Sequence, residues 1–106
     1  MSVSDSEIAF ALELFSSIEG LTHRKQTGAL CLYCDGKIFA TAGDGAIYLK
    51  ARGSFADEME AAGARQFTLT RADGSTATNC YWTLPDAALD DPDLACNWAR
   101  RALAAL

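Results

Sequence analysis

The stretch LCLYCDGKIFA, residues 30–40, decides how this chain is read. It contains a C-x-x-C, Cys31 and Cys34, and runs through Asp35-Gly36 into a second apolar segment. Asp-Gly between two apolar runs is a two-residue hairpin signal, because the tight turn needs positive φ at both central positions. The segment therefore reads as strand, turn, strand. Successive side chains of a strand point to opposite faces, and at ~3.3 Å per residue Cys31 and Cys34 lie about 10 Å apart. A disulfide needs Cα atoms within about 7 Å, and a chelating pair needs converging thiolates. Redox C-x-x-C motifs open a helix, where the dipole lowers the thiol pKa. This one opens a hairpin, so it reads as two structural thiols.

Working outward, residues 29–52 form a three-stranded meander: ALCLYC, KIFATA and AIYLKAR, with Gly43-Asp44-Gly45 as the second turn. Upstream, Ser4 or Asp5 caps a first helix with Glu7 in its first turn. Between residues 8 and 18 at 100° per residue, Ile8, Phe10, Ala11, Leu12, Leu14, Phe15 and Ile18 fill an arc of roughly 200°, wider than the stripe one core face needs. Such a helix is either sunk deep in its own core or shared with a second subunit. Gly20 is its stop signal, and THRKQTG, which holds the single histidine His23, reads as a polar connection. Downstream, Ser54 caps a short helix, FADEMEAAG, that ends at Gly63. A hairpin follows: FTLTR, the turn ADGS, and TATNCYWTLP. Asp91 as N-cap and Pro92 at the first helical position start a final helix. Its Leu94, Trp98, Ala102, Ala105 and Leu106 share one face, and Asp93, Asn97, Arg100 and Arg101 the other. The order is helix, three-stranded antiparallel meander, helix, two-stranded hairpin, C-terminal helix: an α+β class in one domain over residues 1–106.

Composition agrees with a folded domain. Half of the 106 residues are hydrophobic and 22% are charged. No apolar run is long enough to span a membrane, and the N-terminus lacks a basic region ahead of an apolar core, so a cytoplasmic protein with reduced cysteines is expected. The formal charge of −5 argues against direct nucleic-acid binding. Arg24-Lys25 and Arg100-Arg101 are the local basic pairs.

Catalytic signals are thin. No G-x-S-x-G, Walker A, H-E-x-x-H or G-x-G-x-x-G occurs. The carboxylate pairs Asp57-Glu58 and Asp90-Asp91 fall on helix surfaces and caps. With Cys80 and Cys96 forming no second C-x-x-C, no metal or other cofactor is expected, and neither is enzymatic activity. Two surfaces remain. Phe10, Leu14 and Ile18, with Arg24 and Lys25, are candidates for protein interaction or self-association, a homodimer included. Tyr33, Tyr48 and Tyr81, with Lys50 or Arg52 as polar handles, are candidates for holding a small ligand. A metal or redox role for the four cysteines is the third reading.

The runs GALCLYCDGKIFATAGDGAIYLKA (28–51), EAAGARQFTL (60–69) and CYWTLPDAALDDPDLACNWARRAL (80–103), with the helix before them, resemble the TfoX N-terminal domain family. The shared features are "LY-x-DG", "FA", "G-x-x-YLK", and "Y-x-x-x-P…L-D-D…L-x-x-x-WA-x-x-A" in that order. Family members carry Arg-x-Met-Phe-Gly-Gly before the first meander strand. Here the stretch is Arg24-Lys25-Gln26-Thr27-Gly28-Ala29, with Gln26-Thr27 in place of Met-Phe. Full-length regulators of this type carry a further C-terminal domain beyond the final helix, where this sequence ends. The resemblance implies an α+β domain without enzymatic activity, linked to bacterial proteins that assist transcription of competence genes. Such proteins act as co-regulators beside a cyclic-AMP receptor protein rather than as independent DNA readers.

Overall fold

The Asp35-Gly36 turn forms as expected. In the computed structural model, which describes residues 3–26, 28–43, 45–70 and 72–105, Asp35 has φ 50° and Gly36 φ 82°, and Cys34 pairs with Lys37 across them. Thr27 of the family motif, Asp44 of the expected second turn, Arg71 at the end of the expected strand FTLTR and Leu106 of the expected final-helix face lie outside the described residues. The elements are α1 (Asp5–Leu14), β1 (Leu21–Gln26), β2 (Ala29–Cys34), β3 (Lys37–Gly43), β4 (Ala46–Lys50), α2 (Gly53–Ala61), β5 (Gln66–Thr70), β6 (Thr76–Thr83), a 3-10 turn (Asp86–Ala88) and α3 (Pro92–Ala104). The fold is α+β. All strands join one antiparallel sheet in the order β1-β2-β3-β4-β6-β5.

The meander therefore has a fourth strand ahead of the expected three. THRKQ, read as a polar connection, is most of β1, paired with β2 from Leu21↔Cys34 to Gln26↔Ala29. Five of its six residues are exposed. It buries almost nothing, so no alternation of apolar and polar residues marks it; its backbone pairing with β2 makes it a strand. Charged side chains on such an edge also discourage pairing with another chain.

Cross-strand register sorts the side chains. The ladder Leu32–Ala40–Leu49–Trp82 faces the helices and is buried. The next ladder, Arg24–Cys31–Thr41–Tyr48–Thr83, faces away from them. A bulge lies between Leu32↔Ala40 and Tyr33↔Ile38, with Phe39 as the extra residue. It lets two consecutive residues, Phe39 and Ala40, both be buried. The Phe39 ring meets Phe15 edge-on, with centroids 5.6 Å apart.

α1 ends at Leu14, earlier than the arc over residues 8–18 implies, with Phe15 at its C-cap. Its start is as expected. Ser4 Oγ accepts from the Glu7 N–H and the Glu7 carboxylate accepts from the Ser4 N–H, a capping box. α2 starts a residue before Ser54: Arg52 is its N-cap and no side chain caps it. α3 begins at Pro92, and the Asp91 carboxylate accepts from the Leu94 N–H at 3.2 Å.

The buried face of α3 is rotated from the expected one. Ala95, Cys96, Ala99 and Ala102 are buried, Leu94 and Trp98 are half-buried, and Ala105 is exposed. Small side chains let the helix lie close on β3, β4 and α1, so its inner face is set by proximity rather than by bulk. The Cys96 thiol donates to the Leu14 carbonyl at 3.5 Å, and Arg100 reaches the Ser17 carbonyl at 3.4 Å. Arg101 pairs with Glu58 on α2 and lies over the rings of Phe55 and Trp98, 5.3 and 4.9 Å from their centroids.

Candidate interaction surfaces

The broad arc of the first helix divides. Leu14 and Ile18 are 3% and 5% exposed and belong to the core with Ala11 and Phe15. Phe10 points outward at 46% exposure, the one exposed large hydrophobic side chain among the described residues. It borders a recess of about 280 Å³ lined by Ser6, Glu7, Ala42, Gly45, Ile47 and Leu89, among others. One wall is fixed by Glu7. Besides closing the capping box, its second carboxylate oxygen accepts from the Gly45 N–H at 2.8 Å and ties α1 to the β3–β4 turn. That backbone donor, and then the Ser4 N–H, hold the Glu7 carboxyl below its ordinary value of 4.5.

The four ligand candidates come together on the opposite side. Tyr48 and Lys50 sit two residues apart on β4, Tyr81 pairs with Lys50, and Tyr33 pairs with Ile38. All four are half-buried on the sheet face away from the helices. Tyr48 meets Phe67 edge-on at 5.4 Å. Burial pushes the Tyr81 phenol above its ordinary value, and the nearby Cys80, Cys31 and Tyr33 push the same way, with Arg52 opposing them. At the end of the sheet Lys37, Ile38, Lys50 and Arg52 line a shallow depression of about 360 Å³.

Lys37, Ile38 and Phe67 were not singled out in the sequence. A signal for Ile38 exists: with hairpin register fixed at Asp35-Gly36, Tyr33 pairs with Ile38 and the two share a face, while Lys37 pairs with Cys34. The bulge at Phe39 shifts the parity of the rest of β3, and only the folded sheet reveals the bulge.

Arg24 and Lys25 lie exposed on β1 next to His23, on the edge strand and apart from Phe10, which the sequence reading grouped with them. Gln26, one of the two departures from the family motif, accepts from the Cys31 thiol at 3.7 Å.

The cysteines follow the strand argument. Cys31 lies on the face away from the helices, whereas Cys34 packs at the edge of the core and donates to the Glu19 carbonyl at 3.2 Å. All four are free thiols, and no group of three or more potential metal ligands forms among the described residues. No helix among the described residues is long and apolar enough to cross a membrane.

Comparison with curated proteins gives no match. The family model for the TfoX N-terminal domain does match, over residues 13–106. That span runs from the last turn of α1 through α3 and takes in every strand. The chain belongs to the TfoX N-terminal domain family.

Proposed function

We propose that this TfoX N-terminal domain is a non-enzymatic interaction module that engages a protein partner, a second copy included, through the recess beside Phe10. The exposure of Phe10 carries the reading. An aromatic ring held outward next to an apolar recess loses contact with water on docking, and buried aromatic anchors dominate interface energetics. Glu7 holds the recess wall to α1, so the surface is formed before a partner arrives. A regulatory role beside transcription proteins is the use that family membership supports.

The test is solution mass across a concentration series, with capture of transcription proteins by immobilised domain, for wild type and Phe10→Asp. A concentration-dependent dimer or a captured partner, weakened by Phe10→Asp, is expected. A wild-type monomer at every concentration, with capture unchanged in the variant, overturns the reading.

A further inference from the structure

The chain is acidic, yet among the described residues the six strands carry no Asp or Glu. Their charged residues are Arg24, Lys25, Lys37 and Lys50, with Arg52 just beyond β4. The carboxylates sit on helices, caps and turns. Asp35 precedes Lys37 by two residues, but its carboxylate is turned against Gly20. The sheet is thus a cationic surface on an anionic protein. At ordinary ionic strength, charges more than about 8 Å away are largely screened, so a ligand on the sheet responds mainly to the local cations.

The face away from the helices adds a second property. Lys37, Ile38, Lys50 and Arg52 line one depression at the end of the sheet; Ile38 and Lys50 belong to this face by register, while Lys37, paired with Cys34, reaches the depression from the sheet's end. Two residues that line it are strand partners of tyrosines, Ile38 of Tyr33 and Lys50 of Tyr81, and Tyr48, two residues before Lys50, meets Phe67 edge-on. Cations alone would suit any anion. Cations edged by aromatic rings on an open sheet suit an anion that carries a flat ring, because base stacking on aromatic side chains adds to phosphate contact without requiring a particular sequence.

We infer that the open face of the sheet is a nucleotide-binding surface, with a phosphate held by Lys37, Lys50 and Arg52 and the attached base against Tyr33 or Tyr81. This site is separate from the Phe10 recess, and its ligand is a nucleotide phosphate, free or within a single strand. An acidic protein segment would use the cations but leave the rings without a stacking partner.

Binding is measured by fluorescence anisotropy with a labelled oligothymidylate of about ten residues, within the usual range of single-strand site sizes. Adenosine monophosphate and polyglutamate serve as competitors, and NMR follows the Tyr33, Ile38 and Tyr81 signals. The oligothymidylate should bind at low salt, with a log–log salt slope of about −2 if all three cations meet phosphates at about −0.7 each. The Lys37→Ser/Lys50→Ser/Arg52→Ser variant should lose about tenfold or more, and the three signals should shift in wild type. Phe10→Asp should bind as wild type does, so failure here and failure of the recess reading are told apart. Competition by the monophosphate as strong as by unlabelled oligothymidylate identifies a free nucleotide as the source; competition by the oligothymidylate alone identifies a single strand. Absence of binding, binding unchanged in the triple variant, shifts confined to other residues, or equal competition by polyglutamate each overturns the inference.

Discussion

The Asp35 N–H donates to the Gly20 carbonyl at 3.2 Å, and the Asp35 carboxylate occupies the space a side chain at Gly20 would need. Gly20 also has φ 74°, the left-handed region. The chain enters β1 here, so the contact joins the end of the first helical segment to the β2–β3 turn. Two separate costs meet a Cβ at this position: a left-handed backbone penalty of about 1–2 kcal/mol and overlap with Asp35. Gly20→Ala should destabilise the domain by about 2 kcal/mol or more in urea unfolding. Adding Asp35→Gly should recover the overlap part only. Full recovery would mean that the backbone conformation carries no cost.

Leu14 and Phe10 separate core from surface. Leu14→Asp places a charge in the core against Cys96 and Phe15 and should cost more than about 3 kcal/mol, enough to unfold a marginal domain. Phe10→Asp should stay within about 0.5 kcal/mol of wild type. Thermal melts decide this, and equal losses would place Phe10 in the core as well.

Glu7 predicts an acid-side loss of stability. Its carboxyl lies below 4.5 in the folded protein, because the Gly45 and Ser4 N–H groups favour the charged form. A depressed carboxyl contributes stability above its unfolded value and loses that contribution as pH falls through the folded one. Glu7→Gln should therefore flatten the stability profile below about pH 4.5 relative to wild type. Urea midpoints at several pH values read it out, and parallel profiles would remove Glu7 from the linkage.

The thiols should divide into two pairs. Cys34 and Cys80 are half-buried, whereas Cys31 and Cys96 are buried. Under native conditions a thiol reagent should modify Cys34 and Cys80 first and reach the other pair only on unfolding. Immediate reaction of all four would contradict the packing around Cys31 and Cys96.

The local signals that proved readable share one property: each depends on a few neighbouring residues. Asp35-Gly36 encodes its turn because only small or polar residues tolerate positive φ at both positions. Ser4 with Glu7, and Asp91 with Pro92, mark helix starts through contacts within one turn. The C-x-x-C was excluded as a chelate by strand geometry alone, and Cys31 and Cys34 do lie on opposite faces. The family pattern was legible for a related reason, since its motifs are these turns and strand ends in order.

By itself, then, the sequence determined the α+β class, the hairpins, the principal caps and the family. Only the tertiary structure decided the rest. β1 is a strand because β2 offers it a full ladder of hydrogen bonds, which no local preference of LTHRKQ announces. α3 turns its alanines onto the sheet and α1, with Leu94 and Trp98 half-buried at the margin of the same core, an orientation set by which elements it packs against. Lys37, Lys50 and Arg52 share a depression through the pairing of β3 with β4 and the bulge at Phe39. Turns and caps are settled by energies within a few residues; faces and sites are settled by which distant segments pack, and that is a property of the whole chain.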